Sequence, residues 1–190
     1  GWYCRNTGYN PFTAEGKKTA AYEIWEKVLL NDLKGSKKPL VIFIPVGDGN
    51  IISGVHKGFK DLQALGWLEQ MPRIIGVQSD GSAAIANAFH KGDETIVPVS
   101  ATTIADSISV DLPRDGVRAV RAARETGGTY LTVPDEDILK AIAELGIYGI
   151  FAEPAGATAW AGLKKALATG LVTSDDPSLD FSGALTLAAW

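Results

Sequence analysis

Two kinds of apolar pattern alternate along this chain. Residues 40–46 (LVIFIPV) and 73–79 (RIIGVQS) are short runs rich in Ile and Val. That is the pattern of strands buried on both faces. Around them, apolar residues recur with the period of an amphipathic helix. In residues 15–33, Ala21, Ile24, Trp25, Val28 and Leu29 fall on one face. The same period predicts helices over 51–65, 82–90, 114–125, 135–145 and 154–168. Val117, Val120 and Ala123 are expected to point inward from 114–125, and Ile138, Leu139 and Ile142 from 135–145. Shorter strands are expected at 127–133 and 149–152, with a weaker one at 95–97 ahead of a Ser/Thr-rich loop. Residues 34–39 (KGSKKP) read as a polar turn.

Strands and helices thus alternate with short connections. The expected fold is α/β, with a mostly parallel sheet and helices on both faces. Ligands of such sheets sit beyond the carboxyl ends of the strands. Gly47-Asp48-Gly49-Asn50 lies at one of those ends and opens directly into a predicted helix. Glycines there let backbone amides converge without interference from Cβ. Unpaired amides and the helix dipole together favour an anion, usually phosphate.

Rival readings of this loop are weaker. A Walker loop needs Lys and Ser/Thr after its last glycine, whereas Val55 and His56 follow Gly54. A dinucleotide fingerprint needs its third glycine earlier and a ribose-binding acid. A tight strand-to-helix turn that binds nothing remains open on spacing alone. Asp48 sharpens the question, because a carboxylate aimed at phosphate costs roughly a few kcal/mol at an effective dielectric near 20. Either the ligand is not an anion, or Asp48 offers its amide and turns its side chain away. Asn50 can donate its side-chain amide to an oxygen or cap the helix.

Composition narrows the class. The chain has 190 residues, 46% apolar and 21% charged, which suffices for one domain with a sizeable core. A net charge of −4 and a pI of about 5.2 make nucleic acid and anionic membranes unexpected partners. No apolar run approaches the length of a bilayer span. The opening residues GWYCRNTGYNPF lack a signal-peptide pattern, and the one cysteine, Cys4, allows no internal disulfide. A cytoplasmic location is expected. The aromatic start without Met and the apolar end SLDFSGALTLAAW suggest a piece of a longer protein or a chain with an altered end.

Other chemistry is sparse. His56 and His90 stand without cysteines or a paired carboxylate motif, so structural roles are expected and no metal site. Ser79 in GVQSDG does not meet Gly-x-Ser-x-Gly, because position 77 is valine. Glu153 precedes Pro154 and the small residues AGATA, which permit either close approach of a flat ring or tight helix packing. Arg114, Arg118, Arg121 and Arg124 read as a solvated helix face.

Five segments occur in a telling order: PFTAEGKKTAAYEI (11–24), IPVGDGNIISGVHKGF (44–59), RIIGVQSDGSAAI (73–85), TTIADSI (102–108) and FAEPAGATAWAGL (151–163). Together they resemble the C-terminal half of threonine synthase, a fold-type-II (tryptophan synthase β-like) pyridoxal phosphate enzyme. The resemblance covers residues 1–172, which would be an incomplete large domain, while 173–190 form an atypical C-terminal segment. It implies pyridoxal 5′-phosphate as cofactor, with its phosphate on Gly47, Asp48, Gly49, Asn50 and the amide of Ile51. It implies conversion of the amino-acid substrate O-phosphohomoserine and water to threonine and phosphate, and a homo-oligomer.

The resemblance also marks what these residues lack. The family's Schiff-base lysine lies upstream in a Ser-Phe-Lys-Asp-like motif, as does the asparagine that bonds the cofactor's phenolic oxygen. GFKDL (58–62) imitates that motif, but Lys60 sits about 15 Å along the helix from Asn50. The Ser/Thr that contacts the pyridine nitrogen should fall within SLDFSGALTLAAW, where Ser182 is only a stand-in. No catalytic residue is therefore assigned, and the chain alone is expected to be inactive. One alternative is a portion of a threonine or serine dehydratase, disfavoured by Asp48, Asn50 and EGKKT (15–19). Another is a non-catalytic truncated module that binds anions or self-associates through exposed apolar surface.

Overall fold

The computed structural model of the chain describes residue 8 and residues 10–32 and 37–180. Cys4, Leu33 and residues 181–190, Ser182 included, lie outside the described residues, and the expectations attached to them lie there too.

One parallel sheet organises the described chain. Its strands are β1 (Val41–Pro45), β2 (Arg73–Ser79), β3 (Thr129–Val133) and β4 (Ser178–Asp180), in the order β3-β2-β1-β4. Val41 is in register with Arg73 on one side and Ser178 on the other, and Ile75 with Thr129. The hydropathy pattern does not announce β4. Because every pair is parallel, all carboxyl ends share one edge. The chain leaves β1 toward β2 and returns on the opposite side of β1 as β4. The crevice beyond β1 is therefore the switch point of the sheet, where ligands of such folds lodge.

Helices cover both faces. α1 (Pro11–Lys17), α2 (Thr19–Ile24), α3 (Asn50–Ala64), α4 (Ala84–His90) and α5 (Gly116–Glu125) precede α6 (Asp135–Ile147) and α7 (Pro154–Ala168). Alternation along β1 sorts its side chains: Ile42 and Ile44 join Val55, Phe59, Ile85 and Val120 on one face. Val41 and Phe43 join Ile138, Leu145 and the alanines of α7 on the other. Full burial of each such aliphatic side chain stabilises the fold by roughly 1.5–3 kcal/mol. Double coverage is why β1 reads as an unbroken apolar run.

The helical track predicted for 15–33 starts earlier and is not uniform. Asn10 caps α1 by accepting from the Phe12 amide at 3.0 Å, with Pro11 at the first helical position. After α2 the track widens into a π-helix at Trp25–Asp32. α1 and α2 lie directly on α3 through two glycines. A Cβ on Gly54 would sit 2.4 Å from Lys17 Cβ, and one on Gly58 would sit 2.7 Å from Ala21 Cβ.

Three other expectations are corrected. Residues 149–152 are not a strand. Gly149 has φ +77°, and the Ile150 amide bonds Leu145 O at 3.0 Å, so this glycine ends α6 instead of opening a ladder. Residues 95–97 are irregular, because the Asp93 carboxylate takes the amides of Glu94 and Thr95 in a local turn. Val117 (40% exposed) and Leu139 (56%) face outward, since the buried stripes run through Ala119, Val120 and Ala123 on α5 and Ile138, Ala141 and Leu145 on α6. Among the described residues, no helix is long and apolar enough to cross a membrane.

Candidate functional site

The site is built from the end of β1. Two bonds pin its last turn of chain: Val46 N donates to Val77 O at 2.8 Å, and Gln78 Nε2 donates to Val46 O at 3.0 Å. Gln78 is 1% exposed and also accepts from Ala86 N at 2.8 Å, so one buried amide joins β1, β2 and α4. The chain then leaves the sheet through Gly47-Asp48-Gly49. Gly49 adopts φ +91°, a conformation open chiefly to glycine, and α3 begins at Asn50. Ser53 closes the first turn, its Oγ donating to Gly49 O at 2.5 Å.

This geometry leaves a set of amides without acceptors. Among the described residues no hydrogen bond is made by the N–H groups of Gly47, Gly49, Asn50 and Ile51. They belong to the first turn of a fifteen-residue helix and the bend before it, where a helix is short of acceptors. A cavity of about 190 Å³ adjoins them, lined by the chain from Pro45 to Ile52 together with Lys17, Ser107, Ile108 and Ala155.

The question posed by Asp48 has a structural answer. Its Oδ1 accepts from Arg114 N at 2.6 Å, and its carbonyl accepts from Asp115 N at 3.0 Å. The carboxylate is thus directed at the start of α5. Asn50 does not cap its helix. Its Nδ2 donates to Asp115 Oδ2 at 2.8 Å, while its Oδ1 is buried without a partner among the described residues. Asp115 is 3% exposed and is also bonded by the Arg118 guanidinium. α5 therefore clamps the loop at both Asp48 and Asn50.

The opposite wall is the 3₁₀ turn Asp106–Ile108. Gly47 permits its approach, since a Cβ there would lie 2.8 Å from Ile108 Cα. Ser82 fixes the turn by donating to Ile108 O at 3.0 Å and accepting from Val110 N at 3.1 Å. Upstream, Asp135 at the head of α6 accepts from Thr103 Oγ1 at 2.5 Å, Ile104 N at 3.0 Å and Ser79 Oγ at 3.2 Å. Burial opposes its charge, yet these bonds hold its carboxyl below the usual range.

Other residues singled out by sequence go elsewhere. Ser79 is fully buried in that Asp135 network. His56 is buried, 3.6 Å from Glu125 Oε2, and His90 Nε2 lies 3.0 Å from Tyr130 O. Lys60 points away from the cavity to Glu125, at 3.1 Å. Glu153 precedes α7 and accepts from Ser107 Oγ at 3.3 Å, while the next small residue but one, Ala155, lines the cavity. The arginine face of α5 is solvated but paired: Arg118 with Asp115, and Arg121 and Arg124 with Glu94. Spacing did not expose Asp115, Gln78, Lys17 or Ser107. The last three lie within the ordered segments, which here converge: 11–24 brings Lys17, 44–59 the loop, 102–108 Ser107 and Ile108, and 151–163 Ala155.

Comparison with known proteins agrees with this convergence. The profile described as pyridoxal-phosphate dependent enzyme matches residues 1–178. The chain belongs to this family. Among curated members, the threonine synthases of Methanocaldococcus jannaschii and Methanosarcina acetivorans are 37% and 36% identical over 169 residues. Those matches cover 88% of this chain and 40% of each relative, so the chain spans about two fifths of their length. Among solved structures, threonine deaminase isoform 2 of Solanum lycopersicum shares 26% identity at a TM-score of 0.71, covering 92% of this chain and 46% of that one. Threonine synthase of Escherichia coli, at 20% identity and a TM-score of 0.58, covers 79% of this chain and 33% of that one and shares the fold. The chain is thus a threonine synthase-like portion of a family that depends on pyridoxal phosphate, with its fold-type-II architecture.

Proposed function

We propose that the cavity beyond β1 receives the phosphate of pyridoxal 5′-phosphate and that the chain is the C-terminal portion of a threonine synthase. The observation that carries this is the group of amides at Gly47, Gly49, Asn50 and Ile51. Their residues line a cavity, the amides lack acceptors among the described residues, and the chain is bared by glycines whose Cβ atoms would collide with neighbours. The Asp48 side chain opposes an anion less than its place in the loop suggests, because its Oδ1 is held on the Arg114 amide. Asp48 therefore contributes backbone, and Asn50 positions the loop through Asp115.

When bound, the cofactor supplies an electron sink for carbanion chemistry. The residues of this chain hold and orient its phosphate end: the loop amides and the positive end of α3 attract the dianion. Ile108 and Ala155 wall the cavity with apolar surface. We read the lysine that would carry the cofactor as lying outside this chain, because the motif-like Lys60 pairs with Glu125 at 3.1 Å. We therefore assign no catalytic residue and hold that the chain alone does not turn O-phosphohomoserine and water into threonine and phosphate. Residues 1–172 are read as an incomplete large domain and 173–190 as an atypical C-terminal segment. A cytoplasmic location and a homo-oligomeric assembly go with this reading.

The likeness to threonine deaminase supports a second reading, a dehydratase portion, since its TM-score exceeds that of the Escherichia coli synthase. The higher sequence identity to threonine synthases favours the first. Incubating the chain with pyridoxal 5′-phosphate, reducing with borohydride and mapping modified peptides tests the proposal. No stoichiometric adduct at a single lysine, and no threonine from O-phosphohomoserine, is expected. One defined adduct with threonine released refutes the inactivity. Ammonia released from threonine favours the dehydratase.

A further inference from the structure

We propose that Lys17 is the cation of this site, pairing with the anion on the loop and joining it to Asn50. The proposal rests on the loop being a phosphate cradle, and it adds a side chain to what is otherwise a backbone site.

Among the described residues that line the cavity, Lys17 alone has a cationic side chain. Helix packing puts it there. Gly54 lets the Lys17 backbone lie against α3, with Lys17 Cβ 2.4 Å and Ala14 O 2.8 Å from where a Cβ would stand. Gly54 is four residues beyond Asn50, so the Lys17 stem starts just over one turn, ~6 Å, along α3 from Asn50 and on the same face. A flexible four-carbon stem spans that distance.

Its neighbours are engaged differently. Lys18 Nζ lies 2.6 Å from Glu15 Oε2 and 2.7 Å from Asp61 Oδ2. Lys57 sits 3.3 Å from Glu15 and 3.5 Å from Asp61. Those carboxylates are thus shared between Lys18 and Lys57, and none among the described residues pairs with Lys17.

A second, independent observation points to a donor at this place. Asn50 Oδ1 is a buried acceptor without a partner among the described residues. It cannot exchange places with Nδ2, because Nδ2 is committed to the Asp115 carboxylate at 2.8 Å. A phosphate dianion offers no donor to satisfy it. A lysine ammonium offers three donors and no acceptor, so it can serve Oδ1 and an anion oxygen together. It also supplies the charge that amides alone lack beside an acidic residue in the loop.

Pyridoxine 5′-phosphate is the suitable probe, since it carries the phosphate ester but an alcohol in place of the aldehyde that reacts with lysines. Binding to the 190-residue chain is measured by calorimetry at low ionic strength, with pyridoxine as the unphosphorylated comparison. Lys17→Gln, Lys17→Arg and Lys57→Gln are compared at matched circular dichroism. Lys17→Gln is expected to weaken binding roughly tenfold, ~1.4 kcal/mol, and to flatten its salt dependence. Lys17→Arg should retain most of the affinity, and Lys57→Gln should leave it unchanged. Unaltered binding in Lys17→Gln overturns the role of Lys17 while leaving the cradle intact. Wild-type chain that binds the phosphate ester no better than pyridoxine overturns the cradle itself, and Lys17 with it.

Discussion

Replacing Gly49 by alanine probes the geometry on which the site depends. Gly49 sits at φ +91° and ψ 1°, between the end of β1 and the first turn of α3. A side-chain carbon there meets two separate penalties. Left-handed backbone costs an L-residue about 1–2 kcal/mol. The new Cβ would also lie 2.8 Å from Ala119 Cβ and 3.0 Å from Asp115 O, at the head of α5. Overpacking of that kind costs about 1–3 kcal/mol. The two together give roughly 2–5 kcal/mol, a large share of the 5–15 kcal/mol typical of a domain. With a urea m-value near ~2 kcal/mol/M, the midpoint should fall by about 1–2.5 M.

Gly66→Ala isolates the backbone contribution. Gly66 has φ +72° and nothing within 4 Å of its would-be Cβ, so only the first penalty applies. Equilibrium urea denaturation followed by tryptophan fluorescence should show Gly49→Ala costing about 1–3 kcal/mol more than Gly66→Ala. Repeating Gly49→Ala in an Ala119→Gly background removes the Cβ–Cβ collision, and the double-mutant cycle should return part of that difference as coupling. If Gly49→Ala costs no more than Gly66→Ala, then α5 does not clamp the loop and the reasoning fails.

Three further outcomes are expected. Asp115→Ala leaves the buried Asn50 amide without its 2.8 Å partner, so urea denaturation should report a loss of about 1–3 kcal/mol, partly recovered by Asp115→Asn. Burial holds the His56 imidazole below its usual pKa, against the pull of Glu125. The unfolded chain thus takes up that proton first, stability falls as pH drops below about 6.5, and His56→Gln should flatten this part of the pH profile. Thr173 N–H, Lys38 and the Thr173 hydroxyl hold the Asp176 carboxyl down to about 2. Its contribution is complete above the unfolded value near 3.8 and vanishes as pH falls through about 2, so its carboxyl resonance should titrate near 2 and Asp176→Asn should remove that acid limb.

Much of the architecture is legible in the amino-acid sequence. Residues 40–46 and 73–79 announce β1 and β2 because a strand covered on both faces has no polar side to show. Residues 154–168 announce α7 because Pro154 opens a helix and alanines sustain it. The loop after β1 was legible for a similar reason, since a glycine at Gly49 answers a demand of its own backbone. Where local chemistry was ambiguous the pattern misled. Gly149 can end a helix or precede a strand, and only the bond from Ile150 to Leu145 decides between them.

The sequence by itself therefore determined the order of β1, β2, β3 and the helices between them, the place of the glycine loop and the family resemblance, all of which are written in short-range periodicity and contiguous motifs. Tertiary structure alone decided where Asp48 turns its charge, what holds Asn50, and that Lys17, Ser107 and Ala155 meet across one cavity. Asn50 and Asp115 stand 65 positions apart, and Asp48 and Arg114 stand 66 apart. Contacts at that separation leave no period in the chain, because they are set by how helices seat on a sheet and not by the residues flanking each partner.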